Sequence, residues 1–147
     1  MDDLRQTTER LAIQRLIAVY AQLLDCGRLA DWGQLFTEEA RFRVYGRTYE
    51  SRTTIVAEIG GMQPPPDRPG KHICLVPVID LTGDDRALAW TDFLAAATNE
   101  PGKINVATIG CYHDELVRDG KRWRFASRTI VMAGEPLPDD VVPSPAF

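Results

Sequence analysis

The hydrophobic pattern near the N-terminus predicts a long helix. Apolar residues recur every three or four positions between Asp3 and Leu24, which is the spacing of one helical face. Ala18, Ala21 and Asp25 continue along a neighbouring stripe, and Gly27 is expected to end the helix. A short second helix should follow, with an apolar side formed by Leu29, Trp32, Leu35 and Phe36. The chain is therefore expected to turn a corner directly after Asp25.

After this corner, apolar and polar residues alternate along the chain, which is the period of two typical of a strand. A strand is predicted from Ala40 to Tyr49, with a turn at Gly46, and Ser51 is placed to cap a third helix from Arg52 to Ile59. The segment from Gly60 to Lys71 is rich in Pro and Gly and predicts a loop. Four long strands are predicted after it, over residues 72–81, 86–98, 103–118 and 122–132, with turns at Gly83-Asp84, Pro101-Gly102 and Asp119-Gly120.

Helices followed by a run of antiparallel strands predict an α+β fold. Sheets built from such long strands usually curl, and N-terminal helices wrapped across the open side would leave an internal apolar pocket. We therefore expect a cone-like, curled antiparallel sheet. Residues 1–147 are predicted to form a single domain, because no internal repeat or linker divides the chain. Residues 136–147 are expected to form an irregular, proline-rich tail.

Composition narrows the possible partners and the compartment. The net charge is −4 with acidic and basic residues interspersed, which argues against broad electrostatic binding of nucleic acid or anionic membranes. The chain has no run of about 18 apolar residues and no signal-peptide pattern, so a cytoplasmic protein is expected. Its three cysteines lack metal-binding spacing and are expected to be free thiols in a reducing compartment. Neither a metal nor an organic cofactor is predicted.

The candidate chemistry depends on the two histidines of the chain. His72 begins a predicted strand, and His113 lies within the strand that ends at Asp119-Gly120. Histidine changes charge near neutral pH and is therefore suited to general acid–base catalysis. Asp25 could serve as a polarising or proton-transferring carboxylate. The alternatives are structural: Asp25 would bond the following turn, His72 would lie at a strand edge, and His113 would be a buried residue without a role.

Several other polar side chains are candidates for a binding site. Tyr20 and Tyr45 could donate hydrogen bonds to a substrate, although such tyrosines are more often core rings. Cys111 lies two residues before His113, so the two share a face of the strand. A Cys–His nucleophile pair is not expected, since neighbouring side chains on one strand lie side by side.

Charged residues outside this set have weaker signals. Asp92 could orient His72 if their strands pair, but it could equally face solvent. Arg43 and Arg128 are expected at the surface or in salt bridges, with the anchoring of an anionic ligand as the alternative.

Four sequence segments stand in a characteristic order along the chain. They are Tyr20 to Asp25, Trp32 to Phe36, Lys71-His72, and Tyr112 to Arg118 followed by Gly120 and Trp123-Arg124. In this order they resemble the SnoaL-like domain of the nuclear transport factor 2-like superfamily, over about residues 8–132. The resemblance implies a cone-like α+β barrel with a deep apolar pocket.

Within that superfamily, the sequence resembles the branch that includes scytalone dehydratase and bile-acid dehydratase. The branch has an Asp near the end of the first helix and a His at the start of the first long strand, which Asp25 and His72 match. His113 matches a polar position that faces the pocket. Scytalone dehydratase has a second histidine on the following strand, where this chain has the segment from Phe93 to Ala97.

The resemblance implies a cofactor-independent lyase (a dehydratase) or isomerase for a polycyclic, aromatic or polyketide-like substrate. Asp25, His72 and His113 would be the catalytic residues and would converge on one cavity, and the substrate-binding residues would be Tyr20, Tyr45, Cys111 and Phe93. The alternative is a noncatalytic ligand-binding protein or the small subunit of a ring-hydroxylating dioxygenase. The expected partner is a small apolar or aromatic ligand, and the Gly60–Lys71 loop is expected to border the pocket mouth as a flap.

Apolar residues on both faces of the last three strands suggest self-association. If His113 faces inward, the outer face carries Val106, Thr108, Gly110, Tyr112 and Leu116. Such a patch is large for a monomer, so a homodimer is predicted, with a trimer as the alternative. The competing possibility is that the proline-rich tail folds back and covers the patch in a monomer.

Overall fold

The computed structural model describes residues 1–146 as an α+β fold. Three helices are α1 (Asp3–Asp25), α2 (Leu29–Gly33) and α3 (Arg52–Gly61). The seven strands are β1 (Phe36–Val44), β2 (Arg47–Glu50), β3 (Lys71–Cys74), β4 (Val78–Leu81), β5 (Arg86–Glu100), β6 (Lys103–Asp119) and β7 (Arg122–Met132). They form one curled, unclosed sheet against which the N-terminal helices pack, which confirms the predicted fold class.

The sheet has the strand order β2-β1-β7-β6-β5-β3, and β4 pairs with β5 beside β3. Adjacent strands are antiparallel except β1 and β7, which are parallel. The core lies between the inner face of the sheet and α1, whose buried side includes Ile13, Ile17, Tyr20 and Leu24. Because α1 buries one apolar face along its length, its last turn is held against the sheet.

Two strand boundaries differ from the sequence-based expectation. The predicted strand over residues 72–81 is divided into β3 and β4, both paired with β5. Pro77 lies between β3 and β4. Proline has no backbone N–H, and none is needed there because no strand pairing occurs at this position. Phe36, expected in the second helix, instead begins β1 and pairs with Phe125 of β7. This pairing joins residues distant in sequence, so local periodicity could not indicate it.

The buried face of β6 is the opposite of the predicted one. Tyr112, Asp114 and Leu116 are buried toward the helices, whereas Cys111 and His113 alternate onto the outer face. The expectation that His113 and Cys111 face inward is therefore wrong. The large side chains of Tyr112 and Leu116 fill the space against α1, and burying them determines the register of the whole strand.

The C-terminal segment crosses the outer face of the sheet. After β7 the chain turns at Gly134 and runs back as irregular structure. Both guanidinium nitrogens Nη1 and Nη2 of Arg43 donate to Asp140, at 2.9 and 2.6 Å. Trp90 Nε1 donates to the carbonyl of Val142 at 3.0 Å. The tail thus covers the middle of this face, and the exposed apolar residues farther along it include Ile73, Val78, Ile104, Val106 and Ile109.

Candidate active site

Asp25 and His72 form a hydrogen-bonded pair between α1 and β3. Oδ1 of Asp25 lies 2.6 Å from Nδ1 of His72, and Oδ2 accepts the backbone N–H of His72 at 2.9 Å. The Asp25 side chain is 5% exposed and that of His72 is 18% exposed. An ionised carboxylate accepts hydrogen bonds only, so this contact places the imidazole proton on Nδ1 and leaves Nε2 free.

Local structure on both sides holds the pair in place. Asp25 is the last residue of α1, and the chain leaves the helix through Gly27, whose φ of +71° favours glycine. His72 lies in β3, directly opposite Ala95 of β5. Because the carboxylate accepts both the side chain and the backbone of His72, it fixes the imidazole orientation and attaches the helix end to the sheet edge.

Lys71 lies beside the pair at the pocket rim. Its Nζ is 3.6 Å from Oδ2 of Asp25, and its side chain is 60% exposed. The ammonium partly balances the carboxylate charge, and solvent screening at this exposure weakens the interaction.

The pair opens into a pocket of about 750 Å³ between α1, the sheet and the loop after α3. Tyr20, Phe93 and Tyr112 line its inner part, and the sheet wall beyond them is built from small side chains. The other wall is the predicted flap, from which the pocket is lined by Met62, Gln63, Pro64, Pro65, Pro66, Pro69 and Gly70. The structure therefore confirms that this loop borders the pocket.

A buried ion pair lies directly behind the tyrosines. Nε and Nη2 of Arg128 each donate to Asp114 at 2.8 Å, and both side chains are fully buried. The guanidinium carbon lies 4.0 Å from the centre of the Tyr20 ring and 3.9 Å from that of Tyr112. Arg128 is in a salt bridge, one of the two positions expected for it, and it is buried because β7 turns it toward the core.

Burial affects the ionisation of both tyrosines. It raises the pKa of Tyr20 to about 12, against the opposing charge of Arg128. It also raises the pKa of Tyr112 well above its ordinary value. Both hydroxyl groups therefore keep their protons at neutral pH and can donate hydrogen bonds.

The structure brings together five of the seven predicted site residues. Asp25, His72, Tyr20, Tyr45 and Phe93 all line the pocket, although Tyr45 is 60% exposed at its rim. His113 and Cys111 do not line it. Sequence analysis missed Asp114 and did not place Arg128 beside the pocket; the available signal was that Asp114 shares the strand face of Tyr112.

The two misplaced residues have other surroundings on the outer face. His113 Nδ1 lies 3.3 Å from the carbonyl oxygen of Val142 in the tail, next to a smaller cavity of about 340 Å³ beneath the tail. Cys111 pairs across the sheet with Asp92, and burial and the charge of Asp92 raise the pKa of its thiol to about 11. Asp92 therefore does not orient His72.

Two general features of the described chain bear on partners. Across residues 1–146, no three His, Cys, Asp or Glu side chains are grouped so that they could hold a metal ion. Within the same range, no helix has the length and apolar character needed to cross a membrane.

Comparisons with known proteins agree with this architecture. Residues 5–129 match the model of the SnoaL-like domain. An NTF2-like protein with a cystatin-like fold from Novosphingobium aromaticivorans is 21% identical, with a TM-score of 0.79 over 90% of this chain and 87% of that chain. No curated protein matched the sequence.

Two further structures from the same organism share the fold. A presumed scytalone dehydratase is 19% identical, with a TM-score of 0.76 over 88% of this chain and 87% of that chain. The beta subunit of a presumed aromatic-ring-hydroxylating dioxygenase is 21% identical, with a TM-score of 0.75 over 90% and 93% of the two chains. At identities this low, the structural similarity shows a common fold only. The chemistry of this chain has to be argued from the residues of its own site.

Proposed function

The chain belongs to the SnoaL-like domain family, and on that basis we propose that it is a cofactor-independent lyase or isomerase. Its substrate would be a polycyclic, aromatic or polyketide-like small molecule. One observation carries the proposal: the Asp25 carboxylate lies 2.6 Å from the imidazole of His72 at the wall of a pocket of about 750 Å³. A carboxylate, an imidazole and an apolar pocket are the components of acid–base catalysis on an uncharged carbon skeleton.

The proposed mechanism uses His72 as the proton-transfer group. Nε2 would accept a proton from a carbon next to a carbonyl group, or return a proton to a leaving hydroxyl group. Asp25 would keep the Nδ1–H tautomer and stabilise the imidazolium that forms. His113 has no role in this mechanism, because it lies on the outer face of the sheet, away from the pocket.

Tyr20 is the proposed donor to the negative charge that develops on substrate oxygen. It lines the pocket five residues before Asp25 on α1, and its raised pKa of about 12 keeps the hydroxyl protonated. The Asp114–Arg128 pair behind its ring is nearly neutral as a unit, so it supports Tyr20 without placing a net charge beneath the pocket. Tyr45, at the exposed rim, is proposed to contact substrate only.

A noncatalytic role is the second candidate, because the dioxygenase beta subunit shares this fold. Such a protein would bind a small apolar ligand in the same pocket and leave it unchanged. The two candidates differ in whether a bound carbon acid exchanges its protons.

Hydrogen–deuterium exchange of a model ketone tests the proposal. 2-Tetralone carries acidic C–H bonds next to its carbonyl group, and NMR in D₂O follows their loss. We expect the wild-type protein to accelerate exchange and His72→Gln to reduce that acceleration by about 10²–10⁴-fold. His113→Asn is the matched control and should exchange as the wild type does. Saturable tetralone binding without accelerated exchange would favour the noncatalytic candidate.

Two further properties are proposed, a compartment and an assembly state. Cys26, Cys74 and Cys111 are free thiols, which suits a reducing compartment, so we propose a cytoplasmic protein. We also propose a homodimer, because exposed Ile73, Val78 and Ile109 remain on the outer face beyond the tail.

A further inference from the structure

Three side chains, Phe93, Tyr112 and Arg128, form a stack beneath the pocket, and Tyr20 packs against its end. The Phe93 and Tyr112 rings lie parallel, with centroids 4.1 Å apart and planes inclined by 12°. The guanidinium of Arg128 lies over Tyr112 at 3.9 Å and over Tyr20 at 4.0 Å. The order of the stack is therefore Phe93, Tyr112 and Arg128, and the ion pair with Asp114 fixes its inner end. Tyr20 packs against this end, with its ring edge to face with Tyr112 at 5.9 Å between centroids and 66° between planes.

The stack depends on close approach of Phe93 to the neighbouring strand. Phe93 lies directly opposite Gly110 of β6. A Cβ atom at Gly110 would lie 3.1 Å from Cε1 of Phe93 and 2.5 Å from the carbonyl oxygen of Val131. Glycine at this position therefore allows the Phe93 ring to lie across β6 and against Tyr112.

Beyond Phe93, at the end of the stack, the side chains on the sheet wall of the pocket are small. Beyond Phe93 the same strand continues with Ala95, Ala96 and Ala97, and Ala107 of β6 lies beside them, all lining the pocket. Ala95 is the direct cross-strand partner of His72, so a methyl group lies next to the imidazole on the sheet surface. Open space is thus adjacent to both the terminal ring of the stack and the proposed base.

We infer that Phe93 and Ala95 determine substrate shape: a planar ring stacks on Phe93, lies over Ala95 and presents its reacting carbon to His72. This inference rests on the proposed function for the identity of the reacting group. Aromatic rings gain from stacking in addition to the apolar area they bury, whereas a puckered saturated ring of the same skeleton does not. The alanines leave room for the substrate ring, and stacking on Phe93 makes the pocket prefer a planar ring to a puckered one.

Two alcohols with one carbon skeleton test the inference by calorimetry. 2-Naphthol is planar, and trans-decahydro-2-naphthol is its saturated, puckered counterpart. We expect the wild-type protein to bind 2-naphthol about two- to tenfold more tightly. Phe93→Leu removes the ring and keeps an apolar side chain, so the ratio should fall to about one. Equal affinities in the wild type, or an unchanged ratio in Phe93→Leu, would overturn the inference.

A second variant tests the space over Ala95. Ala95→Leu should weaken 2-naphthol binding by tenfold or more, because its side chain would occupy the position of the ring. Ala57→Leu, on the exposed surface of α3, makes the same chemical change away from the pocket and should bind as the wild type does. Thermal unfolding of each variant shows whether it is folded, and undiminished binding by folded Ala95→Leu would refute the assigned ring position.

The two proposals fail in different ways. Naphthol selectivity is measured by binding to the wild-type protein and does not depend on catalysis, so it should be found even if the wild type does not accelerate exchange of 2-tetralone. Loss of exchange in His72→Gln with no preference for planar ligands in the wild type would support the acid–base proposal alone.

Discussion

Asp25 and His72 are 47 residues apart in sequence, yet the carboxylate and the imidazole lie 2.6 Å from each other. Oδ2 of the same carboxylate also accepts the backbone N–H of His72, so the ring is oriented by two contacts from one residue. The end of the first helix thereby determines which imidazole nitrogen faces the pocket.

Asp25→Asn tests this relationship directly. The amide is nearly isosteric but carries no charge and can present an N–H to Nδ1, which would favour the wrong tautomer. We expect 2-tetralone exchange to fall by about 10²–10⁴-fold with little change in the thermal midpoint. Asp31→Asn, which alters the exposed pair with Arg28, is the control. Wild-type exchange in Asp25→Asn would remove the carboxylate from the mechanism.

Removing one partner of the buried Asp114–Arg128 pair should be strongly destabilising. Arg128→Met leaves the carboxylate buried without its partner, and we expect a loss of about 3–5 kcal/mol in the free energy of unfolding. Adding Asp114→Leu should recover much of that loss, since two apolar side chains then replace the pair. Urea unfolding measures both. Arg28→Met, in an exposed pair, should change stability by less than about 1 kcal/mol.

Attachment of the tail should weaken in acid. The hydrogen bonds from Arg43 lower the pKa of Asp140 from 3.8 to about 2. A carboxyl group with a lowered folded pKa contributes stability above its unfolded pKa, and that contribution is lost as the pH falls through the folded value. We expect the indole N–H signal of Trp90, bonded to Val142, to shift between about pH 4 and 2. Asp140→Asn should show the detached signal already at neutral pH.

Self-association should depend on the apolar outer face beyond the tail. Sedimentation at micromolar concentration should give a species of twice the chain mass of 16.4 kDa. Ile109→Asp places a charge on that face and should yield monomers. Leu11→Asp, an equally drastic change on the exposed side of α1, should leave the dimer intact. A single species of chain mass in the wild type would refute the homodimer.

The loop over residues 62–70 should become protected when the pocket is filled. Its prolines stiffen the centre, and Thr98 Oγ1 donates to the carbonyl of Pro69 at 2.7 Å to hold one end. Saturating 2-naphthol should slow amide exchange at Gln63 and Gly70, because both residues line the pocket that the ligand fills. Amides of the remote turn over residues 82–85 serve as the internal control. Equal protection with and without ligand would argue against a moving flap.

Much of the architecture could be predicted from local pattern. The helical stripe ending at Asp25, the loop rich in proline and the hairpin at Asp119-Gly120 all follow from spacing and turn chemistry. The division of the strand predicted over residues 72–81 was missed because the apolar run continues across Pro77. The start of β1 at Phe36 was missed because its partner, Phe125, is distant in sequence.

Local sequence pattern was enough to predict the helices and the long strands, and the family resemblance identified the two residues of the Asp25–His72 pair. Which face of β6 is buried could be seen only in the folded chain. Because side chains alternate along a strand, Tyr112 and Asp114 must share one face and Cys111 and His113 the other. This alternation does not indicate which face is buried. The buried face is determined by the packing against α1, where Tyr112 and Leu116 fill the core and Asp114 forms an ion pair with Arg128. The same long-range packing brought Arg128 under the pocket and left His113 beneath the tail.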